Sequence, residues 1–261
     1  MVRMALNVAL NPCMTQWAGK RVWLIGASSG IGRATAAALH AQGAKVIVSA
    51  RQAQALRDFV LEHPGSQALP LDVTDRERVQ AAVATLMRGG CMDCVVYCAG
   101  HYVEQHADAL DLPELVHHLE VNYLGAVYLL DALVPHLLAQ PLTRRGHISL
   151  VGSIAGYRGL TRSLAYGPTK AALINLTETL YIDLHPHGIG VSLINPGLTA
   201  NNRFKMRALI TPEVAAEEVL RGWARGAFEI HLPRRLTLGV KLLELLPYPA
   251  FFAVVRHLRS R

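Results

Sequence analysis

A tyrosine and a lysine stand four residues apart in Tyr166–Gly167–Pro168–Thr169–Lys170. On a helix that spacing puts both side chains on one face, projecting into the same space. Pro168 fits there because a first helical turn does not need its missing N–H. The chemistry that uses a phenol beside an ammonium is proton transfer at an oxygen, as when a carbonyl is reduced or an alcohol oxidised. A free phenol titrates near 10, and an ammonium about 4 Å away at an effective dielectric of about 20 supplies ~4 kcal/mol. That predicts a Tyr166 lowered by at most about three pH units, towards working pH. Thirteen residues upstream, in Val151–Gly152–Ser153–Ile154, Ser153 directly follows a strand, where its hydroxyl can bond the same oxygen.

A second constellation suits a phosphorylated cofactor. Gly26–Ala27–Ser28–Ser29–Gly30–Ile31–Gly32 follows a strand and opens a helix, so its glycines fall where the backbone must turn sharply and approach a pyrophosphate. The helix N-terminus then faces the anion. Some twenty positions on, a site for an unphosphorylated ribose needs a carboxylate. This chain has Ser49–Ala50–Arg51–Gln52 instead. A guanidinium pairs with a 2′-phosphate and a carboxylate would repel it, so Arg51 favours NADP(H) over NAD(H). Without a ligand, the same residues read as a structural strand-to-helix turn and a solvated arginine.

The Gly-x3-Gly-x-Gly spacing with its Ala-Ser-Ser interior resembles the short-chain dehydrogenase/reductase family of the classical type, and further elements follow in that family's order from about 21 to 199. The resemblance implies that Ser153, Tyr166 and Lys170 are catalytic, and that Asn122 in Val121–Asn122–Tyr123 holds a water relaying protons to the lysine. It implies that Asp72 caps the adenine, in Leu71–Asp72–Val73, and that Ala99 and Gly100 let the backbone approach the cofactor. Pro196, Gly197 and Thr199, in Asn195–Pro196–Gly197–Leu198–Thr199, would line the nicotinamide end, and Lys170 would also bond the nicotinamide ribose. Three positions depart from the family. Ile25 replaces a threonine before the first glycine, and Tyr97–Cys98 replace two asparagines before Ala99–Gly100. Read locally, Asp72 is equally a turn cap and Asn122 a core amide.

Around these residues, short β-branched runs alternate with longer amphipathic ones, which predicts βαβ units around a parallel sheet. Strands are expected at 21–26, 45–50, 67–71, 93–98, 146–152, 189–194 and 227–231. Helices are expected at about 31–42, 52–62, 75–87, 113–140, 164–185 and 212–225. The fold class is α/β: a Rossmann-like, doubly wound, seven-stranded parallel sheet with helices on both faces. Residues 1–19 read as an irregular leader, 20–233 as one dinucleotide-binding and catalytic domain, and 234–261 as a basic amphipathic extension of two short helices.

The chain's 261 residues are 51% apolar and 17% charged, rich enough for a sheet covered on both faces. Its formal charge of +7 favours anionic partners. Part of the excess is local, because Glu244 is the one acidic residue among six basic ones from Arg234 to Arg261. Contact of that tail with an anionic membrane surface, a lid over a lipophilic pocket, and packing on its own core or on a partner subunit all remain open. Cys91, Cys94 and Cys98 crowd together where no disulfide framework would put them, which predicts a reducing, cytoplasmic setting. Strand alternation argues against their holding zinc with His101 and His106, so no metal is expected, and His117–His118 read as a solvated helix face. No apolar run reaches the ~18 residues of a membrane span.

Phe204, Met206 and Leu209 after the Pro-Gly element suggest a lipophilic carbonyl or alcohol as substrate. The family implies a homodimer or homotetramer. The alternative function is a catalytically silent nicotinamide-nucleotide sensor or scaffold. A basic nucleic-acid adaptor has charge alone in its favour, with no recognisable binding module.

Overall fold

The computed structural model describes residues 9–197 and 210–259. Seven strands form one sheet: β1 (Arg21–Ile25), β2 (Lys45–Ser49), β3 (Gln67–Ala68), β4 (Cys94–Tyr97), β5 (His147–Val151), β6 (Gly190–Pro196) and β7 (Glu229–Leu232). Their order is β3-β2-β1-β4-β5-β6-β7 and every pairing is parallel. The order reverses between β1 and β4, which opens a crevice at the strands' carboxyl ends. The expected Rossmann-like architecture is therefore the observed one.

The helices are α1 (Gly30–Ala41), α2 (Ala53–Glu62), α3 (Arg76–Arg88), α4 (Leu112–Leu119), α5 (Gly125–Ala139), α6 (Tyr166–Leu184), α7 (Pro212–Ala224), α8 (Arg234–Leu242) and α9 (Tyr248–Arg259). Several start where the sequence supplies a cap: Asp75 accepts from Arg78 N, Asp111 from Glu114 N, and Thr211 from Val214 N ahead of Pro212. Strand alternation divides the interior into two cores. Trp23, Ile25, Val95 and Tyr97 face α3, α5 and α6, whereas Val22, Leu24, Cys94 and Val96 face α1, α2 and α7. Cys94 and Cys98 lie on the second side as apolar filler.

Three expectations need correction. The strand expected over 67–71 is cut to Gln67–Ala68, although Leu69 N and Leu71 N still bond Val48 O and Ala50 O; Pro70 between them faces the open side of this edge strand, where it adds no bond to extend the sheet. The single helix expected over 113–140 is interrupted by a π turn, Glu120–Leu124, between α4 and α5. Asn122 sits inside it, bonded to groups outside the helix, and the register shift turns that buried amide towards them. Against the expectation that no apolar run is long enough to span a bilayer, Leu112–Ala139 is long and apolar enough, with a mean hydropathy of 1.3 over 18 of its residues. Its Leu129, Leu133 and Leu137 are buried in the sheet's core, so that apolarity serves packing.

Among the described residues, the segment 9–19 has no helix or strand but is fastened. Asn11 Nδ2 donates to Val191 O (2.8 Å) and Ala227 O (3.2 Å), while Val191 N donates to Asn11 Oδ1 (2.9 Å). The amide thus completes the ladder where β6 has no β7 partner, and Trp17 packs on Trp223. At the other end, α8 and α9 lie against the domain. Arg158 Nη1 donates to the carbonyls of Leu243, Glu244 and Leu246 (3.2, 3.0 and 2.9 Å), and its guanidinium stacks on Tyr248 and Phe251. Thr237 and Phe251 are buried, whereas Leu242, Leu245, Tyr248 and Phe252 face outward.

Candidate active site

The residues expected to hold a dinucleotide gather at the carboxyl ends of the strands. Gly26 N and Ala27 N bond Ser49 O, which ties the turn after β1 to the end of β2, and Leu71 N bonds Ala50 O beside it. Gly26 has φ +89°, and a Cβ there would lie 2.4 Å from Ala99 N. A Cβ on Gly32 would lie 2.4 Å from Gly26 O. Only glycine lets this turn close against α1 and the end of β4. Ser29 begins α1 without capping it through its side chain, and no acidic residue stands in the first turn. The leading N–H groups, with Ser28 and Ile31 beside them, therefore suit an anion such as a pyrophosphate.

Arg51 is exposed and close enough to Asp72 to act on its charge. Burial raises the Asp72 carboxyl, but hydrogen bonds from Thr74 and the charges of Arg51 and His117 outweigh it and hold the group below its ordinary range. Asp72 Oδ1 accepts from Thr74 N (3.0 Å) and Thr74 Oγ1 (2.8 Å), so it makes the local turn that the sequence left open. Val73 packs beside it in the core. Ala99 and Gly100 extend β4 into the crevice, and Cys98 N bonds Ile25 O (2.7 Å). Burial pushes the Cys98 thiol up to about 12, which makes it inert. Tyr97, at the other departure from the family, is buried and donates to Val121 O (2.6 Å).

Ser153, Tyr166 and Lys170 meet at the end of β5. Ser153 is 8% exposed, and its hydroxyl bonds the Tyr166 phenol and accepts from Ala155 N (3.1 Å). Lys170 Nζ lies 5.6 Å from the centre of the Tyr166 ring and donates to Val151 O (2.8 Å). The lowered phenol expected from a lysine 4 Å away is corrected here. Burial pushes Tyr166 up to about 12, opposed by the Ser153 hydrogen bond and reinforced by Tyr102. Burial also brings Lys170 down to about 8. Desolvation outweighs attraction because both groups are enclosed and the ammonium points at a carbonyl.

Asn122 is fully buried and joins this group. Its Nδ2 donates to His101 O (2.9 Å) and Thr169 Oγ1 (3.0 Å), and its Oδ1 accepts from His101 N (2.7 Å). Thr169 Oγ1 donates in turn to Tyr166 O (2.7 Å). Pro196 ends β6 and Gly197 follows it under α8, where a Cβ on Gly197 would lie 2.9 Å from Leu236. Thr199, Phe204, Met206 and Leu209 fall outside the described residues.

Thr169, Tyr102, His101, Glu114 and His118 join the site without having been expected there from the sequence. Tyr102 meets Tyr166 edge to face, ring centres 5.0 Å apart. His118, expected on a solvated face, is fully buried because α4 turns it under the loop after β4. The Glu114–His118 spacing of four was the only sequence signal that the two act together.

A crevice built for a dinucleotide that opens on a serine, a phenol and an amine defines a nicotinamide-dependent oxidoreductase. The chain belongs to the short-chain dehydrogenase family: the family model described as short chain dehydrogenase matches residues 20–208. An uncharacterized oxidoreductase of Myxococcus xanthus is 34% identical over 257 residues, covering 94% of this chain and all of that protein. Mouse (Mus musculus) L-fucose dehydrogenase is 34% identical over 189 residues, covering 70% of this chain and 67% of its own. Among solved structures, a short-chain dehydrogenase from Streptomyces avermitilis superimposes with a TM-score of 0.78 at 27% identity, covering 93% of this chain and 97% of that one.

Proposed function

We propose that this chain is an NADPH-dependent reductase that converts a lipophilic carbonyl to an alcohol, with Tyr166 as the proton donor. The observation that carries the reading is the meeting of the Ser153 hydroxyl with the Tyr166 phenol, with Lys170 Nζ 5.6 Å from the centre of that ring. At neutral pH a phenol raised to about 12 is protonated, which is the form that gives a proton to a carbonyl oxygen. Ser153 binds that oxygen and Lys170, charged below about 8, stabilises the tyrosinate left behind. Asn122 anchors the water that returns a proton through Lys170. The nicotinamide, when bound, supplies the hydride.

Arg51 supports NADPH over NADH, since its guanidinium stands where a ribose carboxylate partner would otherwise be. The lipophilic substrate rests on the apolar side chains after Gly197 and on Leu236 over the Pro-Gly element. The outward Leu242, Leu245, Tyr248 and Phe252, in a tail with six basic residues and one acidic, suit contact with an anionic membrane surface. The mouse relative's name instead points to a sugar as a second reading.

Purified protein should be incubated with NADPH or NADH and long-chain ketones, aldehydes and steroids, and with L-fucose plus either oxidised nucleotide. Turnover of the lipophilic carbonyls with NADPH is expected, and Arg51→Ala should weaken NADPH more than NADH. Oxidation of L-fucose alone would replace the lipid reading, and equal effects of Arg51→Ala on both nucleotides would remove the cofactor preference.

A further inference from the structure

The loop after β4 is fastened to α4 and to the π turn by bonds that none of the recognised motifs supply. Val103 N donates to Nε2 of His118 (3.0 Å), and His101 Nε2 is hydrogen-bonded to Oε1 of Glu114. His101 also exchanges two backbone bonds with the Asn122 amide, at 2.7 and 2.9 Å. Because Nε2 of His118 accepts a backbone N–H, its proton must sit on Nδ1. That Nδ1–H lies 2.8 Å from Glu114 O and 3.1 Å from Oε1.

This tautomer decides what the cluster is. One ligand atom from each of His101, Glu114 and His118 falls within 4.8 Å of the others, a spacing a divalent cation can bridge. An imidazole that keeps its proton on Nδ1 has no lone pair there to give a metal. The Glu114 carboxylate instead is hydrogen-bonded to one imidazole, through Oε1 and His101 Nε2, and lies 3.1 Å from His118 Nδ1, whose proton goes to the Glu114 carbonyl.

The clamp holds residues of the active site. Tyr102 lies between the two fastened residues His101 and Val103, and its ring rests on Tyr166. A Cβ built on Gly100 would lie 3.7 Å from Asn122 Oδ1 and 3.9 Å from Lys170 Nζ, so the same loop passes close to both groups. Movement of the loop would lift Tyr102 from the phenol and release the Asn122 amide together.

Resting on the reductase reading above, we propose that His101, Glu114 and His118 are positioning residues, a clamp that sets residues 99–103 so that Tyr102 and Asn122 are held against Tyr166 and Lys170. They touch no reacting atom and act through Asn122 and Tyr102.

The test is Glu114→Leu, which removes the acceptor, beside Glu114→Gln, which keeps an acceptor oxygen. With the best carbonyl substrate and NADPH, Glu114→Leu should lower kcat about tenfold or more, since small misplacements near reacting groups are costly. KM for NADPH should stay within about twofold, and Glu114→Gln should recover most of the rate. Added to Asn122→Ala, Glu114→Leu should cost clearly less than it does alone, because part of its effect runs through that amide. Hydrogen exchange of 99–103 in the free protein should quicken in Glu114→Leu. Unchanged kcat, unchanged exchange or full multiplication of the two effects overturns the clamp. Should Glu114→Leu fail to fold, Glu114→Gln alone takes its place in the cycle with Asn122→Ala; a smaller loss is expected, again less than multiplicative, and full multiplication again overturns the clamp. Tyr166→Phe is run alongside: turnover surviving there sinks the reductase reading itself, whereas turnover lost there with Glu114→Leu at wild-type rate sinks only the clamp.

Discussion

The Lys170 ammonium donates to the carbonyl of Val151 at 2.8 Å, which fixes the cation at the end of β5, two residues before Ser153. Since burial brings Lys170 down to about 8 and pushes Tyr166 up to about 12, the two groups titrate in reverse of their order in water. Below pH 8 the site holds a neutral phenol and a charged lysine. Reduction should therefore be nearly independent of pH from 6 to about 8 as far as these two are concerned, and should fall above that as Lys170 loses its charge. A pH–rate profile of kcat checks this, and a rate still rising at pH 9 would contradict it.

Tyr166→Phe should lower kcat by about 10²–10⁴-fold, the ordinary contribution of a placed acid, with NADPH binding intact. Fluorescence titration of NADPH beside steady-state rates separates the two effects.

His147 is buried, with Nε2 2.8 Å from Ser192 Oγ, and burial alone depresses it to about 3. Its folded value lies below its unfolded value near 6.5, so the unfolded chain binds the extra proton between them. Stability is full above pH 6.5 and is lost as pH falls towards 3. At pH 4.5 the loss from this group should be about 3 kcal/mol. Urea unfolding at pH 7 and 4.5 should show that difference in the wild type and not in His147→Gln.

Asn11→Ala should destabilise the protein by about 2–4 kcal/mol, because it leaves both the N–H and the carbonyl of Val191 without partners inside the protein. Urea midpoints measure it. A loss under about 0.5 kcal/mol would mean that water replaces the amide.

Arg158→Ala should loosen the C-terminal helices by removing three carbonyl bonds and two ring contacts at once. Limited trypsin digestion should cut after Lys241 and Arg256 several-fold faster than in the wild type, with the rest of the chain protected to the same degree. Equal rates would show that Phe251 and Thr237 hold the tail without it.

The sequence by itself determined the sheet and most of the site, because these depend on local regularities. Alternating β-branched runs, the Gly26–Gly32 turn and the Tyr166–Lys170 spacing each encode their geometry within a few residues. Only the tertiary structure decided what depends on distant neighbours. The π turn at Asn122 exists because His101 and Thr169, far away in sequence, bond its amide. The burial of His118 follows from a loop folding over α4, and the raised phenol follows from enclosure that outweighs a lysine one helical turn away. Nor does the composition of residues 9–19 announce that Asn11 closes the ladder of a strand 180 positions later. Hydrogen bonds over such separations leave no periodic trace in a sequence, since the partner's type constrains neither neighbour.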